Sequence, residues 1–269
     1  MDQFYTNDNI ASRLYDTVKN TVDLTDFDLI LEPSAGKGAF FKLLPPDKRI
    51  GIDIEPKYEQ VVQQDFFEWR PDSSKKYMVI GNPPFGRICS IAIKFFNHAS
   101  TFATVIAFLV PRTFKRVSVQ NKLNAKFRLV TSEDLPVKPC CFEPEIDAKC
   151  CFQIWKRCDV RRELIQYNKT HKDFKFLKLG KKDKNNQPTP PDEADFVIKA
   201  YGSNCGEIVA QNLMSLRPKS WHWIKSNINV ETLKSRFEEL DYSMSDDTVR
   251  QSSIGQQEVI FLYEKKFGD

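Results

Sequence analysis

An apolar run that halts at two consecutive prolines sets the strongest constraint on this chain. Met78-Val79-Ile80, between Tyr77 and Gly81, reads as a buried strand, and Asn82-Pro83-Pro84-Phe85 ends it. Neither proline can donate a ladder hydrogen bond, and each pushes the residue before it into an extended conformation, so the strand must give way to a turn. In an open α/β sheet such a turn lies at the carboxyl end of the strand, where ligands bind. There the sequence offers the Asn82 amide, a carbonyl at Pro83 held by the proline that follows, and the ring of Phe85. Two acceptors aimed at an NH2 group, with a ring to stack on, suit a planar heterocycle bearing an exocyclic amine. The lone pair of that amine is delocalised into the ring. Accepting both of its hydrogens would pull it towards sp3 geometry and free the pair for attack, a matter of positioning and electrostatics rather than of a strong base. The alternative is an ordinary turn after a strand, and the rest of the chain has to decide.

Three strand ends upstream carry polar groups as well. Leu29-Ile30-Leu31 reads as a buried strand running into Glu32-Pro33-Ser34-Ala35-Gly36-Lys37-Gly38, a glycine-rich turn followed by a short helix over Phe40, Phe41 and Leu44. Glycines at 36 and 38 let a ligand approach the backbone, with the N-terminus of the next helix facing it. No Gly-Lys-Ser/Thr follows, and a dinucleotide signature fails for want of a third glycine. Arg49–Pro56 reads as a strand with Asp53 near its end, where an acid commonly accepts bonds from ribose hydroxyls. A third short strand, Val61-Val62, leads to Asp65-Phe66, whose carboxylate can take an adenine amino group while the ring packs on the base. Each acid alone would read as a surface charge at a strand end. Within residues 28–86, however, all four features occur in order, and alternating strands and helices imply a parallel, doubly wound sheet.

That ordered set resembles the S-adenosylmethionine-dependent amino-methyltransferases, above all the class γ DNA adenine-N6 methyltransferases, over roughly residues 3–160. Phe4-Tyr5-Thr6, preceded by Gln3, is similar to that family's N-terminal cofactor motif; Asn7 departs from it, where the family often carries proline. Glu32–Gly38 is similar to the E-P-x-x-G-x-G loop, Asp53 to the ribose-binding acid, Asp65-Phe66 to the adenine-binding pair and Asn82–Phe85 to the catalytic N-P-P-Y/F. The resemblance implies an α/β fold with a Rossmann-like class I methyltransferase sheet, mostly parallel with its last strand antiparallel. It implies S-adenosyl-L-methionine as cofactor, held by Tyr5, Thr6, Glu32, Ser34, Gly36, Gly38, Asp53, Ile54, Asp65, Phe66 and Asn82. Catalysis falls to Asn82, Pro83, Pro84 and Phe85, and no metal is required. The implied reaction methylates adenine N6 in DNA, with the target flipped out of a duplex. The same chemistry on structured RNA competes with it, as does a catalytically inactive nucleic-acid-binding relative. Protein-glutamine methyltransferases share a related loop but resemble proteins with a helical domain before the sheet, for which a cofactor loop starting at Glu32 leaves no room.

Beyond the catalytic loop a helix over Ile88–Ala99 and a strand over Thr104–Val110 are expected. Pro111–Arg116 and the following residues carry Arg112, Lys115, Arg116 and Lys122 with no acid between Pro111 and Arg128, and these four are the candidate nucleic-acid contacts. A solvated helix face is the other reading of that charge. Phe127–Val130 and Cys150–Trp155 are expected as a final antiparallel pair, and the loop Phe142-Glu143-Pro144 between them offers an aromatic for the target base or for packing. The methyltransferase domain is thus expected over residues 1–160, a basic, proline-containing linker over 161–195, and a small α+β target-recognition module over 196–269. In that module Phe196–Tyr201 and Val259–Tyr263 read as strands around a helix over Val230–Leu240. Trp221-His222-Trp223 reads either as a recognition surface or as a small packed core.

Composition excludes several classes. No apolar run approaches the roughly 20 residues that span a bilayer, and Met1-Asp2-Gln3 lacks the opening of a signal peptide, so an intracellular protein, cytoplasmic or nuclear, is expected without a membrane partner. A net charge of +4 over 269 residues is too mild to bind a polyanion except through local patches. Seven cysteines with no C-x-x-C pair read as reduced thiols; adjacent residues on a strand face opposite ways, which argues against zinc at Cys140-Cys141 and Cys150-Cys151. The partner expected is nucleic acid, DNA in preference to RNA. A restriction enzyme or activating subunit is left open.

Overall fold

The computed structural model describes residues 4–268; Met1, Asp2, Gln3 and Asp269 lie outside the described residues, and with them the start of the first motif and the residues read for a signal peptide. The chain divides into two compact units, the first ending at Leu164 and the second beginning at Ile165.

The first unit is a seven-stranded sheet. In chain order its elements are β1 (Tyr5–Thr6), α1 (Asp8–Thr21), β2 (Leu29–Glu32), β3 (Arg49–Asp53), β4 (Val62–Gln63), β5 (Tyr77–Gly81), α2 (Ser90–Ala99), β6 (Ala103–Pro111), α3 (Val117–Gln120), β7 (Phe127–Asp134), β8 (Phe142–Glu143) and β9 (Cys150–Arg157). The sheet order is β4-β3-β2-β5-β6-β9-β7, while β1 and β8 form a separate two-stranded ribbon. Strands β2 to β6 pair in parallel, and β9 runs antiparallel to both β6 and β7. This is the mostly parallel α/β sheet, with its last strand reversed, that the resemblance to a Rossmann-like class I methyltransferase sheet implies.

The centre of the sheet explains why Met78–Ile80 is an unbroken apolar run. All five residues of β5 are buried, because β2 and β6 flank it and the sheet is covered on both faces. Helix α2 turns Ala92, Phe95, Phe96 and Ala99 inward at helical spacing, and Phe96 meets Trp155 of β9 edge-on at 5.4 Å. The predicted helix from Ile88 begins at Ser90, since Ile88 and Cys89 have left-handed backbone angles. Helix α1 buries Ile10, Leu14 and Val18 as its spacing predicts. Its cap residue, Asn7, donates its backbone N–H to Cys141 O at 3.0 Å and its side-chain amide to Cys140 O at 2.9 Å. A proline at that position could make neither bond.

The second unit comprises β10 (Phe174–Phe176), β11 (Phe196–Lys199), β12 (Ile208–Val209), β13 (Trp221–Ser226), α4 (Val230–Glu238) and α5 (Gln256–Phe267). Its sheet is antiparallel in the order β10-β13-β11-β12. Two expectations change here. The stretch 161–195 contains β10, paired with β13 through Phe174↔Ser226 and Phe176↔Ile224, so part of the lysine-rich segment is built into the sheet. Val259–Tyr263 lies in helix α5, which buries Val259, Ile260 and Tyr263; five apolar residues in a row fit a helix flank as well as a strand, and Glu258, closing back on the Gly255 N–H, selects the helix. Trp223 is buried, with its indole N–H donated to Pro218 O at 3.0 Å, which favours the packed core over a recognition surface at that ring. No helix among the described residues is long and apolar enough to cross a membrane.

Candidate active site

Because β2, β3, β4, β5 and β6 are parallel, their carboxyl ends lie on one rim, and each opens into a loop carrying one of the sequence motifs. At the end of β2, Gly36 has φ +48° and Gly38 φ +76°, angles that glycine adopts readily. Gly36 has a second reason to lack a side chain: a Cβ there would stand 2.7 Å from the ring of Tyr5, which lies across the turn. Asp53, at the end of β3, accepts the Gly36 N–H at 2.8 Å with one carboxylate oxygen and the Glu55 N–H at 2.8 Å with the other. Each oxygen keeps a lone pair for a ligand hydroxyl. Ile54 beside it is 68% exposed, an apolar face at the spot where a base would lie.

Glu32 is not a ligand contact in this arrangement. Its carboxylate is buried and accepts the Phe41 N–H at 2.6 Å, so it buttresses the turn from beneath. Burial pushes its carboxyl well above the usual carboxylate range, opposed by the Phe41 and Phe40 amides. A carboxyl that holds its proton more tightly when folded contributes stability below its ordinary value of 4.5 and loses that contribution as pH rises through the folded value. Wild type is therefore expected to lose stability relative to Glu32→Gln as pH climbs from 4.5 towards neutrality in urea unfolding. A difference that stays constant over that range would contradict the burial argument.

The pair Asp65-Phe66, expected to hold an adenine, is split by the fold. Asp65 is exposed, its carboxylate accepting the Phe67 N–H at 2.8 Å. The Phe66 ring is 1% exposed, packed on Phe95 at 5.1 Å and edge-on to His98 at 4.6 Å, so it cannot lie on a base. What this position can still offer is its backbone amide, for which no acceptor is present among the described residues.

At the end of β5 the Asn82–Phe85 turn is tied to the turn after β2 and to the chain before β1. Ser34 donates its hydroxyl to the Asn82 carbonyl at 3.0 Å. The Asn82 side-chain NH2 donates to Phe4 O at 3.2 Å, which turns Oδ1 the other way, and no donor reaches Oδ1 among the described residues. The Pro83 carbonyl is likewise unclaimed. Phe85 is half-buried and meets Phe142 edge-on with centroids 6.3 Å apart. Phe142 sits on β8 opposite Thr6, and Glu143 opposite Tyr5, so the ribbon β1–β8 walls the rim. Thr6 Oγ1 is buried there with no partner among the described residues. An orphaned hydroxyl, a carboxylate with open lone pairs and an exposed isoleucine together fit a nucleoside-bearing, zwitterionic cofactor such as S-adenosylmethionine.

The basic loop after β6 differs from its expectation. Arg112 is only 17% exposed at its side chain; it donates to Leu135 O at 2.9 Å and pairs with Asp134 at 3.6 Å. Lys115 reaches the same carboxylate at 3.2 Å. The compensating acid is absent from the loop but arrives from the end of β7, which sequence proximity cannot reveal. Arg112 is thereby a structural brace, and Lys115 is partly neutralised. Arg116 is partly buried, and Lys122 is exposed. A cation that sequence reading missed is Arg87, exposed two residues after Phe85; its carbonyl accepts the Ser90 N–H, but its guanidinium has no hydrogen bond, ion pair or ring contact within the described residues.

None of the seven cysteines is in a disulfide, and among the described residues no cluster of three or more His, Cys, Asp or Glu side chains could hold a metal ion.

No protein-family model matches the chain, and no curated protein matches it. Among solved structures, a candidate RNA methyltransferase from Pyrococcus horikoshii is 18% identical, with 58% of this chain and 88% of that one covered at a TM-score of 0.44. The 23S rRNA methyltransferase ErmE is 17% identical over 61% of this chain and 72% of its own, TM-score 0.42. A dimethyladenosine transferase from Plasmodium falciparum is 18% identical over 58% and 63%, TM-score 0.40. At these values the likenesses carry no argument; the strand order by itself defines the fold.

Proposed function

We propose that this chain transfers a methyl group from S-adenosylmethionine to the N6 amine of adenine in nucleic acid, with DNA the preferred substrate. The observation that carries the reading is the Asn82 amide, turned by Phe4 so that, among the described residues, Oδ1 is an unclaimed acceptor beside the unclaimed Pro83 carbonyl. Bound S-adenosylmethionine supplies a methyl group on a cationic sulfur; the N6 lone pair takes the methyl, the C–S electron pair stays on sulfur, and the N6 proton leaves to solvent. Asn82 Oδ1 and Pro83 O accept the two amine hydrogens and localise the lone pair. Phe85 stacks on the adenine, and its edge-on contact with Phe142 steadies the ring. Asp53 takes the ribose hydroxyls, Ile54 the base, and Asp65 the amino group of the cofactor. Tyr5, Thr6 and the turn at Ser34, Gly36 and Gly38 hold its amino-acid end. Pro84 fixes the Pro83 carbonyl. The second unit serves target recognition, and exposed cations at Lys122 and Arg87 meet phosphates.

The test is transfer of radiolabelled methyl to DNA, RNA and protein pools. Label in DNA above RNA is expected, label in RNA alone would move the substrate, and label in protein alone or in none would overturn the reading.

A further inference from the structure

The segment after Phe85 is bent in a way that methyl transfer itself does not require. Ile91 and Ala92, in the first turn of α2, donate their N–H groups back to Phe85 O at 3.2 and 3.4 Å, so residues 86–90 protrude as a closed loop. Gly86, Ile88 and Cys89 have φ of +68°, +52° and +59°. Glycine accepts such an angle; a β-branched isoleucine does so only under strain, because its side chain crowds the carbonyl. The Cys89 side chain is buried and anchors one end of the loop. At the other end a Gly86 Cβ would stand 2.5 Å from Ile91, so the turn is closed tightly there too. Between these anchors Ile88 is 71% exposed, the highest value among the exposed large apolar side chains described. Arg87 next to it is exposed, and its guanidinium has no protein partner among the described residues.

A single exposed isoleucine is ordinary on a protein surface. A strained one, held between two anchors, beside an arginine whose guanidinium has no partner among the described residues and three residues past the stacking ring, calls for a reason, since strain persists where function uses it. We infer that Ile88 is a wedge that fills the gap left in a base-paired helix when the target adenine leaves its stack, while Arg87 holds a neighbouring phosphate. The inference rests on the adenine reading of Asn82–Phe85 and deepens it: the substrate is a paired helix rather than a free strand. An extruded base leaves a hole between its neighbours, and apolar side chains inserted between base steps stabilise such openings. The wedge matters only when there is a stack to open, so its loss is felt on paired substrate and not on unpaired.

The experiment compares methyl transfer to random-sequence duplexes and to their separated strands, each made in DNA and in RNA, by wild type, Ile88→Ala and Ile88→Gly. The ratio of paired to unpaired rates is expected to fall about tenfold or more in both variants. Ile88→Gly relieves the positive φ and is expected to melt no lower than wild type, which separates loss of the wedge from loss of the fold. A ratio unchanged in both variants, or a wild type that acts only on separated strands, would overturn the wedge. A wild type that methylates neither substrate removes the adenine reading and this inference with it.

Discussion

Replacing Asn82 with alanine is expected to lower the rate of methyl transfer by about 10²–10³-fold, the usual effect of removing one preorganised electrostatic contact to a reacting group. Its Oδ1 is a side-chain acceptor that no donor among the described residues reaches, and its NH2 is what holds the amide in that orientation through Phe4 O at 3.2 Å. Losing that one part-buried bond costs about 1 kcal/mol, too little to unfold the chain. Cofactor affinity should therefore hold in calorimetry while single-turnover transfer collapses. Asn82→Asp sharpens the result, because it keeps an acceptor but turns a carboxylate oxygen towards the Phe4 carbonyl and misorients the group. Transfer at the wild-type rate in Asn82→Ala would remove the site's central residue.

Asp53→Ala is expected to weaken S-adenosylmethionine binding by about 3 kcal/mol, on the order of 100-fold in Kd. Two effects combine at this residue. The ligand loses its hydroxyl acceptors, and the cofactor turn loses the carboxylate that holds the Gly36 and Glu55 amides at 2.8 Å each. Once the Gly36 amide is released, the turn that supports the Tyr5 ring is free to shift. Asp53→Asn keeps one acceptor oxygen, so it should fall between wild type and alanine. Calorimetry with the cofactor measures all three, and an alanine variant that binds as tightly as wild type would contradict Asp53's assignment.

The parallel sheet and its strand-end loops were legible in the sequence because each signal there is local. A buried strand shows as an apolar run, two prolines show where it stops, and two glycines show where backbone must turn tightly. Side-chain facing was less legible. Asp65-Phe66 reads as a binding pair, yet the sheet turns the Phe66 ring into the core against Phe95 and His98 and leaves only Asp65 outside. Partners distant in sequence were invisible. Arg112 and Lys115 look unpaired until β7 brings Asp134 to them. Arg87 gives no signal in the sequence because a single arginine between the Asn82–Phe85 turn and the expected helix from Ile88 makes no pattern; the positive φ at Ile88 reveals that this junction is a loop. Of the second unit, its strand at Phe196 follows from a β-rich run, whereas the apolar run Val259–Tyr263 has no period long enough to separate strand from helix.

The central claim is that an adenine N6 receives the methyl group. It is tested most directly by incubating duplex DNA and structured RNA with isotopically labelled S-adenosylmethionine and the protein, digesting to nucleosides, and identifying the labelled product by mass spectrometry. Label is expected in N6-methyladenine nucleoside from wild type and not from Asn82→Ala. Label in any other base, or the same adenine product from both proteins, would contradict it.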